Sequence, residues 1–142
     1  AMEVKWRNSL VVGVPAIDRQ HQEIFSLINE LNYASRQSKS TSMVDRILDE
    51  LVLYVSTHFE LEEKCFRLAD YPDADAHARE HAEMTRKVGA IVKNFKASPN
   101  AEREQLANEL QEFLNAWWNE HILKSDLLFA KFVRAQGISL PV

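Results

Sequence analysis

Four stretches of the chain place mostly apolar residues at steps of four and three, and this rhythm constrains the fold more than any other feature. The first reads Ile17, His21, Ile24, Ile28, Leu31, and the second Val44, Leu48, Leu51, Val55, His58, Glu62, Cys65. The third reads His77, His81, Met84, Val88, Ile91, Phe95, and the fourth Leu106, Leu110, Phe113, Trp117, His121. Such steps keep residues on one stripe of an α-helix and build the seam of a bundle. No stretch sustains a period of two, so no sheet is expected. With 3 glycines and 4 prolines in 142 residues, the chain is also too poor in turns for a sandwich of many short strands.

The breaks between stretches read as turns. Arg36 to Ser42 is polar and serine-rich, with Ser40 or Thr41 as a cap for the second helix. Tyr71-Pro72-Asp73 stops one helix, because proline cannot continue it, and Asp73 is placed to cap the next. Ala97-Ser98-Pro99-Asn100 separates the third helix from the fourth, and Gly137 ends the ordered C-terminal part. Short links favour antiparallel neighbours, so the expected fold is all-α: an up-down-up-down four-helix bundle. Residues 1–16, with Trp6 and Pro15, are expected to form a non-helical N-terminal arm lying across a bundle of about residues 17–134. Together they make one domain over 1–142.

Charge and composition exclude several roles. With 17 basic and 21 acidic side chains the formal net charge is −4, which gives no footprint for nucleic acid or an anionic membrane. No apolar run approaches the roughly 18–20 residues of a membrane span. The first residues lack the order of a signal peptide, and Cys65 is the single cysteine, so a reducing, cytoplasmic location is expected. Cys65 continues the seam in step and reads as a small core residue.

The five histidines, His21, His58, His77, His81 and His121, all fall on the predicted seams. One seam histidine is ordinarily a buried, hydrogen-bonded imidazole; five with none elsewhere point to a site. Glu62 strengthens this, because a buried unpaired carboxylate costs several kcal/mol, yet it lies one turn from His58 on the same face. His77 and His81 repeat the i, i+4 spacing. His121 and Asp126 are five apart, about 140° around an ideal helix, so a helix break near Lys124-Ser125 is expected to let Asp126 reach back. Five imidazoles and two carboxylates exceed the four ligands of one zinc. Imidazole mixed with carboxylate suits iron, zinc, copper or nickel, and two bridging carboxylates suit a metal pair. With a bridging oxygen, that set leaves one position vacant on two octahedral ions, and a vacancy inside an apolar bundle suits a small neutral gas such as dioxygen. Trp117 and Trp118 read as core and interface aromatics, and Glu60, Glu63 and Lys64 as solvated charges. Asp18 reads as a cap for the first helix, with no ligand role for it or for Gln20.

From about Trp6 to Phe132 the chain resembles the bacterial hemerythrin family. The resemblance rests on Val12-Gly13-Val14-Pro15-Ala16-Ile17-Asp18-Arg19-Gln20-His21, His58-Phe59-Glu60-Leu61-Glu62-Glu63, Tyr71-Pro72, His77-Ala78-Arg79-Glu80-His81, Trp118-Asn119-Glu120-His121-Ile122 and Asp126. It implies a di-iron centre: His77, His81 and His121 on one iron, His21 and His58 on the other, Glu62 and Asp126 bridging, with an oxo or hydroxo group between the irons. It further implies reversible dioxygen binding at the iron with two histidines, no catalytic role, and an oxygen-consuming enzyme as an expected partner. Phe129 stands where the family commonly has tyrosine, Met84 where an aromatic is frequent, and Cys65-Phe66 in place of an aliphatic-methionine pair. None of these removes a ligand.

Two rival readings are weaker. His77-Ala78-Arg79-Glu80-His81 also matches the H-x-x-E-H pattern of inverted zinc peptidases, but that leaves three seam histidines, Glu62 and Asp126 unexplained. A di-iron enzyme acting on dioxygen, peroxide or nitric oxide is closer. Ferritin-like oxidases, however, use mostly carboxylates with Glu-x-x-His motifs, which this chain lacks. A histidine-rich set favours the reduced irons and reversible binding.

Overall fold

Each of the four periodic stretches forms a long helix in the computed structural model, which describes residues 6–36 and 41–142. They are α1 (Pro15–Arg36), α2 (Thr41–Leu68), α3 (Ala74–Ala97) and α4 (Asn100–His121). A π-helical turn, Ile122–Asp126, joins α4 to a short α5 (Leu127–Ala135). Helix α2 packs on α1 and α3, and α4 packs on α3 and α1, closing a four-helix bundle. No strand occurs among the described residues.

The seams of α1 and α2 are buried as the spacing requires, from Ile17 to Leu31 and from Val44 to Cys65. On α3 the stripe holds to Val88, and then Val92 rather than Ile91 is buried. On α4 the expected seam is displaced. Leu106, Phe113 and Trp117 lie at its edge, while Ala107, Leu110, Gln111, Leu114 and Trp118 are buried. The true stripe contains a glutamine and an alanine, so hydropathy favours the more apolar flank beside it.

The helix ends show local chemistry at work. Helix α1 starts at Pro15, two residues before Ile17, since proline suits a first helical position where no amide hydrogen is needed. Asp18 is therefore inside the first turn rather than its cap. Its carboxylate accepts from the Val12 and Gly13 amides at 2.8 and 3.1 Å, folding back an arm whose turn needs Gly13 at φ +88°. The arm is not wholly irregular, because Asn8–Leu10 forms a 3₁₀ turn that buries Leu10. Trp6 lies across the bundle, its ring 6.3 Å from that of His21 and 5.7 Å from Phe25.

Helix α2 closes with paired bonds from the Asp70 amide to the Arg67 carbonyl and from Tyr71 to Phe66, with Asp70 at φ +50°. Helix α5 closes identically through Gly137 and Ile138, with Gly137 at φ +64°. Gly137 thus ends a helix but not the packing, because Ile138 and Leu140 still cover the core. Asp73 occupies the α3 cap position, but its side chain makes no capping bond; its carbonyl accepts from His77 instead. The cap expected at Ser40 lies outside the described residues, as does the side chain of Thr41.

The apolar interior has two parts. The larger runs from Leu31, Val44 and Ala107 down to Ile24, Phe59, Met84, Trp118 and Ile122. The smaller gathers Val12, Ile17, Cys65, Phe66, Tyr71, Phe129 and Val133. Along each helix a polar layer falls between them: His21 after Ile17, Glu62 before Cys65, and His121 after Trp118.

Candidate metal centre

That layer brings together all seven side chains singled out in the sequence. His21 comes from α1, His58 and Glu62 from α2, His77 and His81 from α3, His121 from the last position of α4, and Asp126 from the end of the π turn. None is more than 4% exposed. The helix does not break at Lys124-Ser125 as expected from ideal α geometry. It widens instead, and i→i+5 bonding brings residues five apart onto one face. Asp126 Oδ1 consequently lies 3.1 Å from His121 Nε2.

The histidines form two groups, and each carboxylate turns one oxygen to each group. Glu62 Oε1 is 2.8 Å from His58 Nε2 and 3.4 Å from His21 Nε2, while Oε2 is 3.1 Å from His81 and 3.4 Å from His77. Asp126 Oδ2 is 3.1 Å from His21, and Oδ1 is 3.0 Å from His77. Within the groups, His21 and His58 face each other at 3.0 Å through Nε2, and His121 Nε2 is 3.0 and 3.2 Å from those of His77 and His81. The donor atoms form two clusters, one with three histidines and one with two, both sharing Glu62 and Asp126.

The electrostatics call for positive charge at this point. Burial disfavours the imidazolium of His21, but Asp126 and Glu62 outweigh it and push its pKa up to about 9. His121 responds likewise, to about 10, through Asp126 and Glu80. Burial wins at His58, which is pushed down despite Glu62; its Nε2 lies 3.0 Å from that of His21. Burial opposes ionisation of Glu62 and Asp126, yet the surrounding histidines hold both below the usual carboxylate range. All four of their oxygens are buried without a well-directed hydrogen bond. Lone pairs converging on common points, with no single donor aimed at them, fit cations between the groups better than protons on any one ring.

A surrounding layer fixes ring orientation. His58 Nδ1 donates to Gln20 Oε1 at 2.8 Å. His81 Nδ1 donates to Glu63 at 3.3 Å and His121 Nδ1 to Glu80 at 3.1 Å. The His121 hydrogen bond, against partial burial, draws Glu80 down to about 2, and Ser125 Oγ donates to the same carboxylate at 2.6 Å. Phe59 stacks on His81 at 3.9 Å, Trp117 on His121 at 4.4 Å, and the buried Trp118 ring lies 5.7 and 5.5 Å from His21 and His58. Phe129 packs on Phe66 and Tyr71, and Phe66 on His77.

Gln20, Glu63 and Glu80 are the contributors that sequence reasoning missed; Glu63 in particular reads as solvated. Each is next in sequence to one of the seven and serves a histidine on a different helix. That adjacency was the available signal.

Comparison with known proteins adds independent findings. A family model described as the hemerythrin HHE cation-binding domain matches residues 12–133. A bacteriohemerythrin from Stenotrophomonas maltophilia is 32% identical over 130 residues, covering 92% of this chain and 81% of its own length. One from Clostridium acetobutylicum is 27% identical over 124 residues, covering 85% of this chain and 94% of its own. A crystal structure of a hemerythrin with one leucine-to-alanine substitution aligns at a TM-score of 0.78 and 27% identity, covering 90% of this chain and 95% of that one.

Proposed function

The chain belongs to the hemerythrin family, and we propose that it binds dioxygen reversibly at a non-haem di-iron centre, for storage, delivery or sensing. His77, His81 and His121 hold one iron, His21 and His58 the other, and Glu62 and Asp126 bridge them. The observation that carries this reading is the orientation of the two carboxylates, each with one oxygen toward each histidine group. The relation to zinc peptidases gains no support, because Glu80 is engaged by His121 and Ser125 rather than free to act as a base.

When bound, two irons joined by an oxo or hydroxo bridge supply dioxygen with two electrons and recover them on release. The chain's part is to hold charge balance and keep water away. Five neutral imidazoles against two carboxylates leave fewer anionic donors than a carboxylate-rich oxidase site, which favours the reduced irons and reversible binding over turnover. Apolar layers on both sides, with Phe59, Phe66 and Trp118 against the imidazoles, keep the ligands desolvated and limit proton access. One domain over the chain and a reducing cytoplasmic setting complete this reading.

Anaerobic iron loading tests it. Close to two irons per chain are expected, and His58→Ala should lose much of the capacity to hold the second. About one zinc per chain, in place of iron, would sink the proposal.

A further inference from the structure

The ring nitrogens that face away from the carboxylates are not treated alike. In the three-histidine group, His81 and His121 donate through Nδ1 to carboxylates, Glu63 at 3.3 Å and Glu80 at 3.1 Å. In the two-histidine group, His58 donates to the neutral amide of Gln20 at 2.8 Å, and His21 Nδ1 is buried with no hydrogen-bond partner. Both charged acceptors therefore serve one half of the site. Glu80 is fixed there by Ser125, whose hydroxyl donates to it at 2.6 Å from within the π turn.

A carboxylate that accepts the Nδ1 hydrogen makes the opposite nitrogen of the ring a more basic, stronger donor; an amide does so less, and no partner not at all. Stronger donors favour the higher charge on whatever ion they hold. Resting on the di-iron reading above, we propose that Glu63 and Glu80 are positioning residues that make the two irons unequal. They direct the first one-electron oxidation of the diferrous protein to the three-histidine iron and leave the two-histidine iron ferrous. In that step one electron passes from iron to an added oxidant such as ferricyanide, and no bond is made or broken. The arrangement has a use in a reversible binder: the iron with the open position keeps its electron until dioxygen arrives.

The test uses the full chain loaded anaerobically with two ⁵⁷Fe ions and titrated with ferricyanide, read by Mössbauer spectroscopy and by the potentials of two successive steps. The wild type should show two resolved steps and, after one equivalent, one ferric and one ferrous site. Glu63→Gln and Glu80→Gln should each weaken the ferric preference of the first step about tenfold, the low end for such partners because both carboxylates are partly solvated. That corresponds to a rise of about 59 mV for one electron, with the second step little moved. Gln20→Glu, which places a carboxylate on the other half, should instead lower the second potential, and it keeps the test open if either glutamine variant loads iron poorly. Three unmoved potentials, or both steps moving together in every variant, would overturn the inference while leaving two bound irons intact. Failure of the wild type to bind two irons would remove the underlying reading and this inference with it.

Discussion

Gln111 offers a sharp test of the packing argument. It is 0% exposed in the middle of α4, and neither its amide nitrogen nor its amide oxygen has a hydrogen-bond partner. Its neighbours on the stripe are Ala107, Leu110, Leu114 and Trp118. A buried polar group without a partner costs about 1–3 kcal/mol, whereas an apolar group of the same shape carries no such penalty. Methionine has nearly the length and volume of glutamine and a flexible, polarisable tip, so Gln111→Met should keep the packing and remove the cost. Allowing about 0.5 kcal/mol for imperfect fit, a gain of about 1.5 kcal/mol is expected. At about 3 °C per kcal/mol for a chain of this size, Tm should rise by about 4–5 °C. Ten residues, or about 15 Å of helix, separate Gln111 from His121, so iron content should not change. Circular dichroism melting of metal-free and iron-loaded protein, with urea unfolding as a check, measures the effect. A fall in Tm of 3 °C or more in both forms would refute the reasoning, because it would mean that the amide is satisfied in the folded protein.

Three further outcomes follow from the same structure. Asp70→Gly relieves a left-handed residue at the end of α2 and should stabilise by about 0.5–1 kcal/mol in urea unfolding; a loss of stability would show that the Asp70 side chain contributes something the helix end needs. Cys65 is fully buried, and burial, reinforced by Glu62, pushes its thiol up, so native protein at neutral pH should resist a thiol reagent that labels it completely in urea. Phe66→Ala removes a buried ring packed on His77, Tyr71 and Phe129 and should cost about 3–5 kcal/mol, with faster loss of iron to a chelator; unchanged melting would contradict the packing described.

The helices of the bundle and six of the seven clustered side chains were legible in the sequence for one physical reason. A helix that buries one face must place its site residues in register with its apolar ones, so His21, His58, Glu62, His77, His81 and His121 share the spacing of Ile24 or Val88. What was hidden departs from that register. Asp126 depends on a π turn, and a rhythm of four and three assumes α geometry throughout. The α4 stripe was misplaced because Gln111 is a polar residue in a core position, flanked by the more apolar Leu106 and Phe113. Gln20, Glu63 and Glu80 are half-exposed polar residues at helix edges, where composition does not distinguish a solvated charge from one that orients an imidazole on the next helix. Asp18 was legible as a helix-start residue but not as the group that folds back the arm, since its partners are backbone amides.

The proposed role of the seven buried side chains is to hold two irons that take up and release dioxygen. It is tested most directly by optical spectra of the iron-loaded protein, recorded anaerobically, after admission of oxygen, and after its removal under argon. Visible bands should appear with oxygen and vanish when it is removed, over repeated cycles. Bands that persist after the first exposure, with the iron left ferric, would contradict reversible binding and favour an oxidase- or peroxidase-like di-iron enzyme in its place.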